Sequence, residues 1–191
     1  MEASSRAVPS GEEEGKIIEL IVFDLGDEEF GADIDQVREI ITVEKITSIP
    51  DSPNFIRGVT NVRGEIAVVI DLATRFSLPR KSEVENKQIV ITEQEKNLFG
   101  LMVDGVTEVQ RIPEKDIKAT PKLVTRIDRI YISGVLTLEN RLIILLDLAK
   151  VLLEEELAGL AGLAKRTHAV EEEKVSMVED ERRHYEENPD R

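Results

Sequence analysis

The order of apolar and polar positions along the chain is that of a β protein. Phe30, Ala32 and Ile34 alternate with Gly31 and Asp33, and Phe99, Leu101 and Val103 do the same around Gly100 and Met102. A period of two sends successive side chains to opposite faces of an extended chain, so each run predicts a strand with one face turned inward. Ile17–Leu25, Val59–Leu72, Gln88–Thr92 and Ile130–Leu146 are rich in Ile, Val and Leu and bounded by turn residues, which predicts further strands. Gly26-Asp27-Glu28-Glu29 and Glu93–Asn97 read as hairpin connections. Helical spacing enters only at Leu148, Leu152, Leu157, Leu160 and Leu163, with Glu154–Glu156 facing out. It predicts a C-terminal α-helix from about residue 148, weakened at its far end by Gly159 and Gly162. Residues 1–16 and 166–191 offer little to bury and read as a flexible N-terminal tail and an acidic C-terminal tail, disordered or a frayed helix.

The same pattern occurs twice. FGADIDQVREII (Phe30–Ile41) aligns with FGLMVDGVTEVQ (Phe99–Gln110) at an offset of 69, with Phe, Gly, Asp, Val and Glu coinciding. Gly58–Phe76 aligns with Gly134–Leu152 at an offset of 76, sharing Gly-Val at its start and Asp-Leu-Ala at 71–73 and 147–149. Gly64 falls opposite Asn140, and both residue types tolerate the positive φ of a tight hairpin turn. Two copies of one β unit without crossover helices predict an all-β fold of two small barrels in tandem, about 17–80 and 86–147, joined through Ser77–Asn86. A groove between two packed copies is the default binding site.

Composition narrows the chemistry. Of 191 residues, 39 are acidic and 25 basic, a net charge of −14, the wrong sign for displacing counterions from nucleic acid or docking on anionic lipid. No apolar run reaches the ~20 residues that span a bilayer, and Met1–Lys16 lacks the basic start and apolar stretch of a secretory leader. Cysteine is absent, and the two histidines, His168 and His184, lie in the charged C-terminal stretch. Thiolate and core histidine chemistry are thereby removed, and no phosphate loop, dinucleotide turn or nucleophile elbow occurs. Asp33/Asp35 and Asp71/Asp147 are the carboxylate pairs to consider for acid–base work. The expectation is instead that Asp71 and Asp147, in equivalent places after long apolar strands, cap the following turns, and that Asp35 and Asp104 bond local backbone amides. Calcium-loop spacing is missing, so no metal or cofactor is expected. Four features suit binding: Arg63 at a hairpin tip, where a guanidinium can meet a carboxylate bidentately; Glu39 with its repeat mate Glu108; Val37 with Val106; and Gly58 with Gly134, where a missing side chain admits another backbone.

LIVFDLGDEEFGADIDQVREI followed by IPDSPNFIRGVTNVRGEIAVVIDL, then GLMVDGVTEVQRI and YISGVLTLENRLIILLDLAKVL, resembles the chemotaxis coupling proteins of the CheW family from about Ile17 to Leu153. The resemblance implies two five-stranded, SH3-like β-barrels and a non-catalytic adaptor. Its partners would be the cytoplasmic tip of a methyl-accepting chemoreceptor and the regulatory domain of the histidine kinase CheA. The location implied is cytoplasmic, at receptor arrays on the inner face of the membrane and without membrane insertion. Carried over by position, Val37, Glu39, Gly58, Arg63, Gly100 and Val106 would bind the receptor tip in the groove between barrels, with Arg63 and Glu39 fixing it by charge. Lys118, Lys122 and Leu123 would contact the kinase. The family's usual proline is replaced here by Val68. The alternative is a sensor holding a small molecule in the inter-barrel groove.

Overall fold

The computed structural model describes residues 16–42, 45–79, 87–120 and 127–151. Ten strands run in order: β1 (Ile17–Leu25), β2 (Glu28–Asp33), β3 (Glu39–Thr42), β4 (Ile56–Val62), β5 (Glu65–Asp71), β6 (Gln88–Gln94), β7 (Asn97–Val103), β8 (Gly105–Pro113), β9 (Ile132–Leu138) and β10 (Arg141–Leu146). One short helix, α1 (Leu72–Arg75), follows β5, and single 3-10 turns cover Ile34–Gln36, Glu114–Asp116, Arg129–Tyr131 and Leu148–Lys150. The turn at 148–150 stands where the C-terminal helix was expected to begin, and the remainder of that helix lies outside the described residues, as do most of the N-terminal tail and all of the C-terminal one.

The strands form two five-stranded sheets, as expected, but not in the tandem order expected. Sheet one is β8-β1-β2-β10-β9 and sheet two is β3-β6-β7-β5-β4. The repeat units are β1–β5 and β6–β10, and each gives its first hairpin to the sheet built by the other. The divisions at 17–80 and 86–147 therefore mark the repeats in the chain and not the sheets in space. The reason is visible at the centre of each sheet, where β2 lies parallel to β10 and β5 parallel to β7. Strands joined by tight turns can only be antiparallel neighbours, and in both sheets the parallel partner comes from the other repeat. The chain crosses between sheets at Ile34–Arg38 and again at Asp104.

Burial explains the continuous apolar runs. In β5, Val68 and Ile70 enter a core shared by the two sheets while Ala67 and Val69 enter a smaller core belonging to sheet two. In β1, Ile21, Phe23 and Leu25 join the shared core while Leu20 and Val22 enter the small core of sheet one. Strands covered on both faces read as unbroken Ile, Val and Leu. Phe23, Phe30 and Phe99 are fully buried in the shared core, each burial being worth about 1.5–3 kcal/mol. Gly31 and Gly100, repeat mates, sit against the small cores. A Cβ would stand 2.9 Å from the Leu145 Cδ2 at the first and 2.6 Å from the Ile89 Cγ2 at the second.

Candidate functional site

Arg63 is positioned by a two-residue turn between β4 and β5. Its φ is 53° and that of Gly64 is 93°, positive at both central positions as the twist of a tight hairpin demands. Asn61 Oδ1 accepts the Gly64 amide at 2.8 Å and fixes the turn. The equivalent turn at Glu139 and Asn140 repeats this with φ of 48° and 68°, so the pairing of Gly64 with Asn140 holds. From the tip the Arg63 side chain reaches the first residue of β3. Its Nη2 lies 3.0 Å and its Nε 3.1 Å from Glu39 Oε2. Beside it, Arg38 Nη2 meets Glu65 Oε1 at 2.9 Å and its Nη1 meets Glu93 Oε2 at 3.5 Å, which raises the Arg38 pKa, chiefly through the Glu65 hydrogen bond. The Arg63–Glu39 and Arg38–Glu65 pairs tie the start of β3, one free edge of sheet two, to the β4–β5 hairpin at the opposite edge. Between them lies a groove of about 630 Å³ lined by Glu39, Ile41, Lys45, Val59, Arg63 and Ile66 among others. The Arg63 side chain is 82% exposed and that of Glu39 20%, so the arginine is the accessible member.

The other carried-over positions divide. Gly58 supports two of the lining residues, Thr47 and Val59, without lining the groove itself: its φ is +139°, and a side chain there would run into the Thr47 carbonyl. Only glycine lets Thr47 pair with Val59 through two hydrogen bonds of 2.8 Å. Gly134 plays the same part opposite Lys118, which pairs with Val135, so the close backbone approach expected at both glycines comes from the chain itself. Val37 lies half-buried at a second groove of about 390 Å³, with Arg38, Thr92, Gln94 and Ala149. Gly100 is a packing position inside β7. Val106 is on sheet one, half-buried against the shared core, its amide donating to Gln88 Oε1 at 2.6 Å. Thus Glu39 and Arg63 gather at one groove, Val37 lies at another, and Gly58, Gly100 and Val106 line neither. The groove holding Arg63 and Glu39 opens at the edge gap of sheet two and is not the space between sheets that was expected. Lys118 pairs with β9 of sheet one, and Lys122 and Leu123 lie outside the described residues.

The acids behave as caps. Asp71 accepts the Thr74 amide at 3.0 Å and Asp147 the Ala149 amide at 3.2 Å. Burial of Asp147 opposes its ionisation, but Lys150, Gln36 and the Ala149 amide together hold its pKa below the ordinary value. Asp104 bonds an amide that is distant in sequence, not local, that of Gly26 at 2.7 Å. At the other crossover the acceptor is Asp33, which takes the Asp35 amide at 3.0 Å. Sequence reasoning missed Arg38 and Arg141. Arg141 grips Glu108 at 2.6 Å and Glu29 at 2.7 Å. The Arg141 bond, with help from Gln110, keeps the Glu108 pKa below its usual range. The signal was present in Glu108 as mate of Glu39, since each carboxylate closes a sheet edge through an arginine. Among the described residues no His, Cys, Asp or Glu cluster has the geometry to hold a metal ion, and no helix is long and apolar enough to cross a membrane.

Two interlocked five-stranded sheets, capping acids and an exposed arginine at an open groove define a binding protein of the double SH3-like class. Comparison with known proteins gives the family: residues 19–156 match the CheW-like domain, and the chain belongs to that family. It is 36% identical over 147 residues to the chemotaxis protein CheW of Klebsiella aerogenes, covering 77% of this chain and 89% of that protein. It is 33% identical over 138 residues to the chemotaxis protein CheW of Rhizobium meliloti, covering 72% and 89%. The crystal structure of the scaffolding protein TtCheW from Thermoanaerobacter tengcongensis superposes with a TM-score of 0.65 at 35% identity, covering 73% of this chain and 90% of that one.

Proposed function

We propose that this chain is a chemotaxis adaptor that holds the cytoplasmic tip of a methyl-accepting chemoreceptor and the regulatory domain of the kinase CheA, working in the cytoplasm at receptor arrays and catalysing no reaction itself. The observation that carries the reading is the family match over residues 19–156, joined to an arginine that is exposed above an apolar-floored groove. Arg63 supplies a guanidinium for a carboxylate on the receptor tip, and Ile41, Val59 and Ile66 supply an apolar floor for its helices. Glu39 sets the direction of the guanidinium. The kinase is assigned to Lys118, which pairs with β9 of sheet one, together with Lys122 and Leu123, which lie outside the described residues. No observation favours the small-molecule sensor.

The test is gel filtration of the purified chain with a CheA regulatory domain and with a receptor signalling fragment from the same organism. Arg63→Glu is expected to lower receptor affinity at least tenfold, roughly the loss of one charge-assisted pair. The fold should be retained and the melting temperature only modestly lowered, because a pair with one exposed member adds about 0–1 kcal/mol and the reversed charge then faces Glu39. Wild-type affinity for both partners in that variant would remove Arg63 from the site.

A further inference from the structure

Arg75, the last residue of α1, lies where the ends of the two repeats meet. Its guanidinium carbon is 4.5 Å from the centroid of the Phe55 ring and 5.5 Å from that of Tyr131. Nε donates to the Val151 carbonyl at 3.2 Å, and Nη2 donates to the Tyr131 hydroxyl at 3.1 Å. Phe55 leads into β4 of sheet two and Tyr131 into β9 of sheet one, and they are repeat mates at the offset of 76. Arg75 and Val151 are mates at that same offset of 76. The backbone around them repeats as well: the Asp71 amide donates to the Phe55 carbonyl at 2.8 Å and the Asp147 amide to the Tyr131 carbonyl at 2.9 Å. Arg75 thus stands at the approximate two-fold axis relating the repeats. The symmetry is broken in one respect, because one exit presents a guanidinium and the other a valine whose carbonyl accepts from it.

The location matters because of what else joins the sheets. The shared core is apolar, and apolar attraction is non-directional, so resistance to rotation of one sheet over the other falls to the directional contacts between them. These are Val106 N to Gln88 Oε1 at 2.6 Å, Gln94 Nε2 to the Leu148 carbonyl at 2.9 Å, and the Arg75 cluster where the repeats end. A guanidinium is planar, with donors in a fixed fork. Set over one ring from each sheet and bonded to the Val151 carbonyl and the Tyr131 hydroxyl on the sheet-one side, it opposes rotation directly. We propose that Arg75 is a positioning residue that fixes the angle between the two sheets, so that partners bound on different sheets are held in one relative orientation. The second half of this rests on the adaptor reading above. A loosened joint would spread the second partner over many orientations and lower the effective concentration for any contact that needs both.

The chain contains no cysteine, so spin labels can be placed at Lys96→Cys, in the β6–β7 turn of sheet two, and Glu139→Cys, in the β9–β10 turn of sheet one. Below the melting temperature, Arg75→Leu is expected to broaden the label-to-label distance distribution. Tyr131→Phe, which removes one hydrogen bond, should broaden it less, and Arg38→Gln, which breaks pairs within sheet two, should leave it unchanged. With receptor fragment and kinase domain, Arg75→Leu should leave each single-partner affinity within about twofold while reducing recovery of the three-component complex several-fold. Distributions as narrow as wild type in both Arg75→Leu and Tyr131→Phe would overturn the proposal. Broadening with normal three-component assembly would overturn its functional half. A wild-type chain that binds neither partner would take that half down together with the adaptor reading, and the distance measurement would still decide the structural one.

Discussion

A Cβ built on Gly100 would lie 2.6 Å from a methyl of Ile89 among the small core of sheet two, while one on Gly64 would meet nothing within 4 Å. Gly58 differs from both, since its φ of +139° and the Thr47 carbonyl each forbid a side chain. Stability should follow that order. Gly64→Ala is expected to cost about 1 kcal/mol for its positive φ alone, Gly100→Ala about 1–3 kcal/mol for overpacking, and Gly58→Ala at least as much as Gly100→Ala. Urea denaturation of the three variants measures this, and equal costs would sink the packing account. Lost partner binding in Gly58 or Gly100 variants is then traced first to fold. The capping of Asp71 and Asp147 was legible in the sequence because caps are local, whereas the acceptor of Gly26 was not, because Asp104 reaches it across 78 residues. Glu108 and Asp147 also set an acid limit. Both are depressed in the folded protein, so their contribution is complete above the ordinary carboxylate pKa of about 4 and is lost as pH falls through their lower folded values. Melting temperature measured from pH 7 downward should therefore hold steady until about pH 4.5 and then fall. In Glu108→Gln the acid-induced drop should be shallower, and an identical drop would remove Glu108 from the account.

At the scale of elements, most strands, the hairpin turns and the repeat were readable, because alternation and turn residues are properties of a few neighbouring positions. β3 and β8, edge strands that follow the crossings between sheets, were not among the strands expected. The exchange of hairpins was not. An offset of 69 or 76 records that β2 resembles β7 and that β5 resembles β10. It carries no information about whether β2 lies beside its own β5 or beside β10. Only the parallel pairing of Leu145 with Gly31 and of Val69 with Gly100 settles it. The consequence is that neither repeat encloses a core alone: the first lacks the strands that complete sheet one, and the second lacks those that complete sheet two. Residues 16–86 and 87–151 expressed separately should each lack a cooperative melt, and mixing them should restore one through reciprocal completion of the sheets. Circular dichroism during heating tests this. A cooperative melt in either half alone would mean that the hairpins can fold back into their own repeat.

For the whole molecule, the shared core decides how it comes apart. Ile21, Phe23 and Phe30 of sheet one pack in the same cluster as Val68, Ile70 and Phe99 of sheet two, while the small core of each sheet holds far less. A small core has too little apolar area to offset the ordering of its own strands, so a sheet that lost its neighbour would not persist. The net charge of −14 adds general self-repulsion, which raises the demand on that one cluster. Unfolding should accordingly be a single transition. Ile144→Val in sheet one and Ile70→Val in sheet two, both buried in the shared core, should each cost about 0.5–1.5 kcal/mol. Each should shift the same calorimetric peak, with van't Hoff and calorimetric enthalpies in agreement. Two peaks, one moved by each variant, would show that the sheets unfold separately and that the shared core is only an interface between two stable halves.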